Sequence, residues 1–300
     1  MQGEAGTSRN PVSVVKTYLE MIKVEHSIFA LPFAMMGMMY AANGFPGWRI
    51  FFWILVAMIS ARTAAMTFNR IADWKYDALN PRTASRAIPS GTLKLHHAWS
   101  FFIVACFVFF AAAASLNRLT LILSPIALFV LLFYSYTKRF TWLSHFFVGL
   151  SLGLAPAAAW IAVKGSFEWT PVFWILGVTF WTGGFDILYS LQDEEFDRKH
   201  GLQSITARFG RVAAIRTSRV VHALSVIFFI LGGATVGAGL PYYCGVLFAA
   251  GVLLYEQSLV SPEDLSKLDI AFFTLNGYVA IGMFFFALLD VGGIGTSLLK

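Results

Sequence analysis

Phe101-Phe102-Ile103-Val104-Ala105-Cys106-Phe107-Val108-Phe109-Phe110-Ala111-Ala112-Ala113-Ala114 contains no charged side chain and no alternation of polar with apolar positions. A transmembrane β-strand alternates a lipid-facing apolar residue with a polar lumen residue, over about ten residues. This stretch is apolar on every face, and in hydrocarbon the remaining way to satisfy each backbone N–H and C=O is an α-helix. Its extension to about residues 95–116 makes a run of the length, about 20 residues, that crosses a hydrocarbon core of about 30 Å. The fold class is therefore all-α.

The rest of the chain repeats this pattern. Of 300 residues, 58% are hydrophobic and 13% charged, against about 25% charged in soluble domains, and the mean hydropathy is +0.69. Apolar runs predict about nine transmembrane helices, near 20–42, 48–68, 95–116, 119–136, 142–163, 171–191, 220–239, 242–260 and 269–289. One polytopic domain over residues 1–300 is expected. Gly149, Gly153 and the small residues 155–159 predict close helix packing in the fifth span. Met1 to Asn10 lacks the charged start, apolar core and cleavage site of a signal peptide, so the first span is expected to direct insertion. Cys106 and Cys244 both lie inside apolar runs without metal-ligand spacing, which predicts packing rather than redox chemistry.

The net charge of +6 is not a nucleic-acid footprint, because its placement follows the spans. Arg9, Lys16 and Lys23, then Arg70, Lys75, Arg82, Arg86 and Lys94, then Lys138 and Arg139, then Arg198, Lys199, Arg208, Arg211, Arg216 and Arg219, and finally Lys267 fall on one side of the predicted topology. The other side has Arg49, Arg118, Lys164 and Lys300, and Arg62 lies within the second span. Cytoplasmic loops carry the Lys and Arg excess, so the basic side is expected to be cytoplasmic.

Acids concentrate on that same side. Asn69-Arg70-Ile71-Ala72-Asp73-Trp74-Lys75-Tyr76-Asp77 comes directly after one apolar run, and a second run leads into Asp186-Ile187-Leu188-Tyr189-Ser190-Leu191-Gln192-Asp193-Glu194-Glu195-Phe196-Asp197. On a helix, Asn69, Asp73 and Asp77 share a face, as do Tyr189, Asp193 and Asp197. Acids and bases mixed in a loop are commonly a solvated surface, but two topologically equivalent copies point to a shared site. Paired Asp carboxylates suit Mg²⁺, which characteristically joins one or two carboxylates to phosphate oxygens. The polar stretch 69–94, with Asn80-Pro81-Arg82-Thr83 and Pro89-Ser90-Gly91, is expected to form ordered turns.

On these motifs, the sequence resembles the UbiA family of intramembrane aromatic prenyltransferases. Asn69-Arg70-x-x-Asp73-x-x-x-Asp77 with Asn80-Pro81-Arg82-Thr83 is similar to the family's first Asp-rich motif, and Asp186-x-x-Tyr189-x-x-x-Asp193-x-x-x-Asp197 to its second. Gly201-Leu202-Gln203-Ser204-Ile205 and Ala207-Arg208-Phe209-Gly210 are similar to the segment after the second motif in members acting on 4-hydroxybenzoate. The resemblance implies helices around a central cavity, a Mg²⁺ cofactor held by Asp73, Asp77, Asp193 and Asp197, and a polyprenyl diphosphate whose tail reaches toward the bilayer. It implies that Asn69, Lys23, Arg82, Arg86, Lys138, Arg139 and Tyr189 contact substrate, with Asp73, Asp193 and Arg139 serving catalysis. Asp186 and His26 carry no assigned role.

The reaction so implied transfers a polyprenyl group to the ring of a small aromatic acid, 4-hydroxybenzoate being favoured, in quinone biosynthesis. The expected setting is a bacterial inner membrane with the site facing the cytoplasm. One alternative acceptor is a menaquinone-route acid of the futalosine branch. A rival of another class is a transporter for an anionic substrate, which predicts charges near mid-membrane.

Overall fold

The computed structural model describes residues 11–23 and 27–293; residues 1–10, 24–26 and 294–300, including His26, lie outside the described residues. Helices α1 (Pro11–Met21), α2 (Ser27–Ala42), α3 (Trp48–Leu79), α4 (Leu95–Leu116), α5 (Arg118–Thr137), α6 (Ser144–Lys164) and α7 (Thr170–Tyr189) come first. A 3₁₀ turn at Ser190–Asp193 leads to α8 (Glu194–Lys199), α9 (Ile205–Val236) and α10 (Leu240–Leu259), and a π-helical turn at Ile270–Leu275 opens α11 (Asn276–Val291). No strand occurs among the described residues.

Each predicted span has a helix, α2 to α7 and α9 to α11. Seven helical segments among the described residues are long and apolar enough to cross a membrane; α2, at 16 residues, is shorter, and α10 is not among the seven. The chain is an integral membrane protein, and nine spans is an approximate figure.

Three boundaries depart from expectation. The first span is not one helix over 20–42: α1 ends at Met21, Lys23 adopts φ 51°, and α2 starts at Ser27. Two arginines of α3 hold this break, as Arg62 Nη2 donates to the Lys23 carbonyl at 2.8 Å and Arg70 Nε to that of Met21 at 3.3 Å. The second span does not stop near Phe68 but continues helically to Leu79, so the first motif is helix rather than loop. No Gly or Pro interrupts it until Pro81, and Asn80 before that proline is extended at φ −91°, ψ 119°, the conformation a following proline imposes. The stretch 192–219 is likewise largely helical, with a break at Gly210, where φ is 80°.

Packing follows the small residues. A methyl group at Gly149 would collide with the Thr179 carbonyl, and one at Gly153 would stand 2.6 Å from that of Ile175, so α6 and α7 meet backbone to backbone. The largest core lies between α2, α7, α9, α10 and α11, around Phe33, Trp174, Trp181, Phe229 and Tyr242. A smaller one joins Met21 and Ile22 of the α1 end to Ile71, Ile88, Leu93 and Ala98. It packs α1 and the loop 80–94 over the ends of α3 and α4, beside the carboxylates. That loop is ordered as expected, with Thr83 N and Ala84 N donating to the Asn80 carbonyl at 2.9 Å and Leu93 N to that of Ala87 at 2.7 Å.

Candidate active site

At 1.5 Å per residue, the 32 residues of α3 extend about 48 Å, well beyond a hydrocarbon core of about 30 Å. The last turns, with Asn69, Asp73 and Asp77, therefore overhang the apolar layer. The second motif arrives differently. Helix α7 ends at Tyr189, the 3₁₀ turn carries Asp193, and α8 carries Asp197. Tyr189, Asp193 and Asp197 thus do not share one helical face, contrary to the spacing argument. Ser190 explains the turn: its hydroxyl donates to the Ile187 carbonyl at 2.8 Å and lies 2.7 Å from Thr206 Oγ1, side-chain contacts that compete with helix continuation.

Each of the four aspartates is held by one cation. Asp73 Oδ1 accepts from Arg139 Nη2 at 3.1 Å, and its Oδ2 accepts from Asn69 Nδ2 at 2.9 Å. Both oxygens of Asp77 accept from Arg86 Nη1, at 2.7 and 2.8 Å. Asp193 is gripped in a fork by Arg82, Nε to Oδ1 at 3.1 Å and Nη2 to Oδ2 at 2.6 Å, with Asn80 Nδ2 adding 3.1 Å to Oδ1. Lys138 Nζ stands 2.8 Å from Asp197 Oδ2. Both Asp197 oxygens are buried.

The pairings cross the molecule. Arg82 comes after the first motif in sequence yet binds the second; Arg139, from the α5–α6 connection, binds the first, while its neighbour Lys138 binds the second. Burial disfavours the Arg82 charge, but the bonds and field of Asp193 outweigh it and hold the guanidinium pKa above its ordinary value. Aromatic rings frame the cations: Arg139 lies 4.8 Å from the Tyr136 centroid and 5.4 Å from that of Tyr76. Arg82 lies 5.5 Å from the Tyr189 centroid and donates to its hydroxyl at 3.4 Å.

Of the expected substrate contacts, Asn69, Arg82, Arg86, Lys138, Arg139 and Tyr189 are gathered here. Lys23 is exposed in the turn after α1. Among the described residues no three His, Cys, Asp or Glu side chains come close enough to hold a metal ion together, each Asp being drawn to its own cation. The donor set nonetheless fits a hard divalent ion: all-oxygen carboxylates, with both oxygens of Asp197 buried against the Lys138 ammonium.

Below the charges lies a cavity of about 290 Å³, lined mainly by apolar residues of α2 to α7 and by Phe272. It meets the charged cluster near Tyr134, whose neighbour Ser135 receives Asn69 Nδ2 at 3.5 Å. Sequence reasoning missed Asn80 as a holder of Asp193, although it opens the Asn80-Pro81-Arg82-Thr83 motif. It also missed His145, whose Nδ1 lies 2.7 Å from Asp186 Oδ2 at the cavity wall. No motif marks a single histidine at a helix start.

A bundle of membrane helices that sets four carboxylates and four cations beside an apolar cavity defines a class, the intramembrane enzymes that handle amphiphilic diphosphates. The chain belongs to the UbiA prenyltransferase family, whose model matches residues 30–288. It is 29% identical over 269 residues to a 4-hydroxybenzoate octaprenyltransferase of Vibrio campbellii, covering 89% of this chain and 94% of that one. To the protein of the same name in Aliivibrio fischeri it is 31% identical over 250 residues, covering 83% and 86%. Among solved structures, the apo form of a UbiA homolog from Aeropyrum pernix superposes with a TM-score of 0.77 at 30% identity, over 91% of this chain and 98% of that one. A UbiA homolog from Archaeoglobus fulgidus bound to GPP and Mg²⁺ shares the fold, with a TM-score of 0.72 at 18% identity over 92% and 99% of the two chains. These relatives do not favour the menaquinone-route acceptor or the transporter.

Proposed function

We propose that the protein transfers a polyprenyl group from a polyprenyl diphosphate to the ring of 4-hydroxybenzoate in ubiquinone biosynthesis. The membrane is the bacterial inner membrane, with the charged end on the cytoplasmic side, where the Lys and Arg excess lies. The observation that carries this reading is the interleaving of the four aspartates of both motifs with four cations, beside an apolar cavity. That arrangement matches a molecule that is polyanionic at one end and hydrocarbon at the other.

In this reading Arg82, Arg86, Lys138 and Arg139 turn from their carboxylates to diphosphate oxygens, while Asp73, Asp77, Asp193 and Asp197 hold Mg²⁺. Arginine forks suit phosphate oxygens because both present paired, planar hydrogen-bonding geometry. Mg²⁺, when bound, neutralises charge that accumulates on the departing diphosphate. Asn69 orients Asp73, and Asn80 orients Asp193. The cations stabilise the leaving group as its bond to the allylic carbon breaks, and the aromatic ring attacks that carbon. The apolar walls keep water from the allylic cation, and aromatic rings stabilise it through their π faces. Lys23, exposed in its turn, is not among these contacts.

Membranes containing the protein, incubated with a labelled polyprenyl diphosphate and a panel of aromatic acids, are expected to give a prenylated 4-hydroxybenzoate. EDTA should stop the reaction and Mg²⁺ restore it. Failure to form a Mg²⁺-dependent product with any acid would sink the proposal.

A further inference from the structure

The reaction ends with loss of a ring proton, and neither the four aspartates nor their cations are assigned to take it. Asp186 is the acid that the charged cluster leaves unused. It lies in α7 seven residues before Asp193, about two helical turns or 10 Å of rise deeper, and it lines the cavity with Thr182, Phe185 and Phe272. Its side chain is 26% exposed, in a helix whose neighbouring positions, Phe185 and Ile187, are buried. That exposure is toward the cavity it lines.

His145 holds it there. The imidazole is buried, at 3% exposure, with Nδ1 2.7 Å from Asp186 Oδ2. The Ile205 backbone N–H donates to Nε2 at 3.4 Å. An imidazole nitrogen that accepts carries no proton, so the ring hydrogen is on Nδ1 and is donated to Asp186. His145 therefore fixes one carboxylate oxygen from behind. A carboxylate kept in an apolar span without an ion-pairing Arg or Lys is costly and marks function. Every other aspartate singled out at this end of the molecule has such a cation.

Resting on the prenyl-transfer reading, we infer that Asp186 is the general base of the reaction and that His145 is its positioning residue. When the ring carbon has bonded to the prenyl carbon, the diphosphate has left with its electron pair. The ring then carries a positive charge and an sp³ carbon bearing hydrogen. The Asp186 carboxylate takes that hydrogen as a proton, the C–H electron pair restores the aromatic ring, and Asp186 becomes neutral. The proton returns to water when the product leaves. A base two turns inward of the diphosphate carboxylates faces the cavity rather than the leaving group.

The test compares ordinary 4-hydroxybenzoate with acceptor deuterated at both carbons beside the phenol carbon, using the full-length protein in detergent with Mg²⁺ and a polyprenyl diphosphate. Wild-type protein is expected to show a rate ratio near unity, because departure of the diphosphate is slower than proton loss. Asp186→Asn should lose about 100-fold or more in kcat and show a ratio above about 2, while retaining the thermal shift that Mg²⁺ and prenyl diphosphate produce. His145→Ala should fall less and also acquire an isotope effect, and His145→Asn, which keeps an N–H near the Nδ1 position, should recover part of the rate. If Asp186→Asn does not bind the diphosphate, the His145 pair decides by the same ratio. Rates within threefold of wild type, or a loss without an isotope effect in the variants that bind, would overturn the assignment. No product from wild-type protein with any acid would instead overturn the reading beneath it.

Discussion

Arg82 and Asp193 form the best-defined contact between the two motifs, and its strength can be worked out from the geometry. Two charge-assisted hydrogen bonds, at 3.1 and 2.6 Å, would each contribute about 1.5–3 kcal/mol. Arg82 is 33% exposed, so solvent screening favours the lower end, whereas Asp193 is 11% exposed and is largely desolvated. Arg82→Met strands a mostly buried carboxylate with only the Asn80 amide as donor. Asp193→Asn leaves a half-buried guanidinium without its acceptor. Removing both charges together leaves neither stranded, so the double variant should be less damaged than the singles added together, by about 2 kcal/mol, within the range for contacting residues. For a chain of this size that is a recovery of about 5 °C in Tm. The nine tryptophans make thermal unfolding in detergent readable by intrinsic fluorescence. Activity should behave oppositely: the double variant stays inactive, since each residue has its own role toward diphosphate and Mg²⁺. Strictly additive Tm shifts would refute the coupling, and recovered activity in the double variant would refute the separate roles.

Asp73→Asn should lower Mg²⁺-dependent prenylation by about 100-fold or more with little change in Tm, as measured by product formation and fluorescence on the same preparation. Gly149→Leu places a side chain where the Thr179 carbonyl stands, so overpacking should cost about 1–3 kcal/mol and show as a lower Tm and reduced yield of folded protein. Asp290→Asn weakens acceptance from Tyr40 Oη, 2.7 Å away, and from the Gly239 N–H at 3.0 Å. It should destabilise by about 1–3 kcal/mol while activity per folded molecule is unchanged, which separates this far-end contact from the catalytic end.

Apolar run length is a strong signal because hydrocarbon leaves the backbone few choices, and so the helical class and the positions of α4 to α7 were legible in the residues alone. The glycines of α6 were legible for the same reason, since only a missing side chain permits the approach to Thr179. Polarity misled at Phe68: the change from apolar to charged residues reads as a loop, whereas the backbone, without Gly or Pro until Pro81, simply continues as helix into water. The end of α7 was illegible for the opposite reason. Ser190-Leu191-Gln192 contains no strong breaker, and the helix yields there to a contact with Thr206, which only the fold brings near. The four aspartates and the four cations were legible in the motifs, but which cation holds which acid was not, because Arg82 binds Asp193 across 111 residues. His145 and Asp186, 41 residues apart, share no pattern.

The two motifs reach one place by different means, and that difference decides what kind of molecule the site accepts. Helix α3 is long enough to carry Asp73 and Asp77 past the hydrocarbon layer on rigid backbone. Helix α7, with 20 residues and about 30 Å of rise, ends at the layer's edge and must hand its acids to a turn and the short α8. Both sets therefore stand outside the apolar layer, where each carboxylate is paired with its own cation until a ligand separates them. The cavity lies on the other side of that boundary, and its walls offer few polar groups. A soluble anion would use the charges and gain nothing from the cavity; a neutral lipid would fill the cavity and leave four cations and four carboxylates facing one another. Only a molecule with a diphosphate-like head and a long hydrocarbon tail engages both. Because Arg82 holds the second motif and Arg139 the first, the head of such a molecule draws on both halves of the bundle at once.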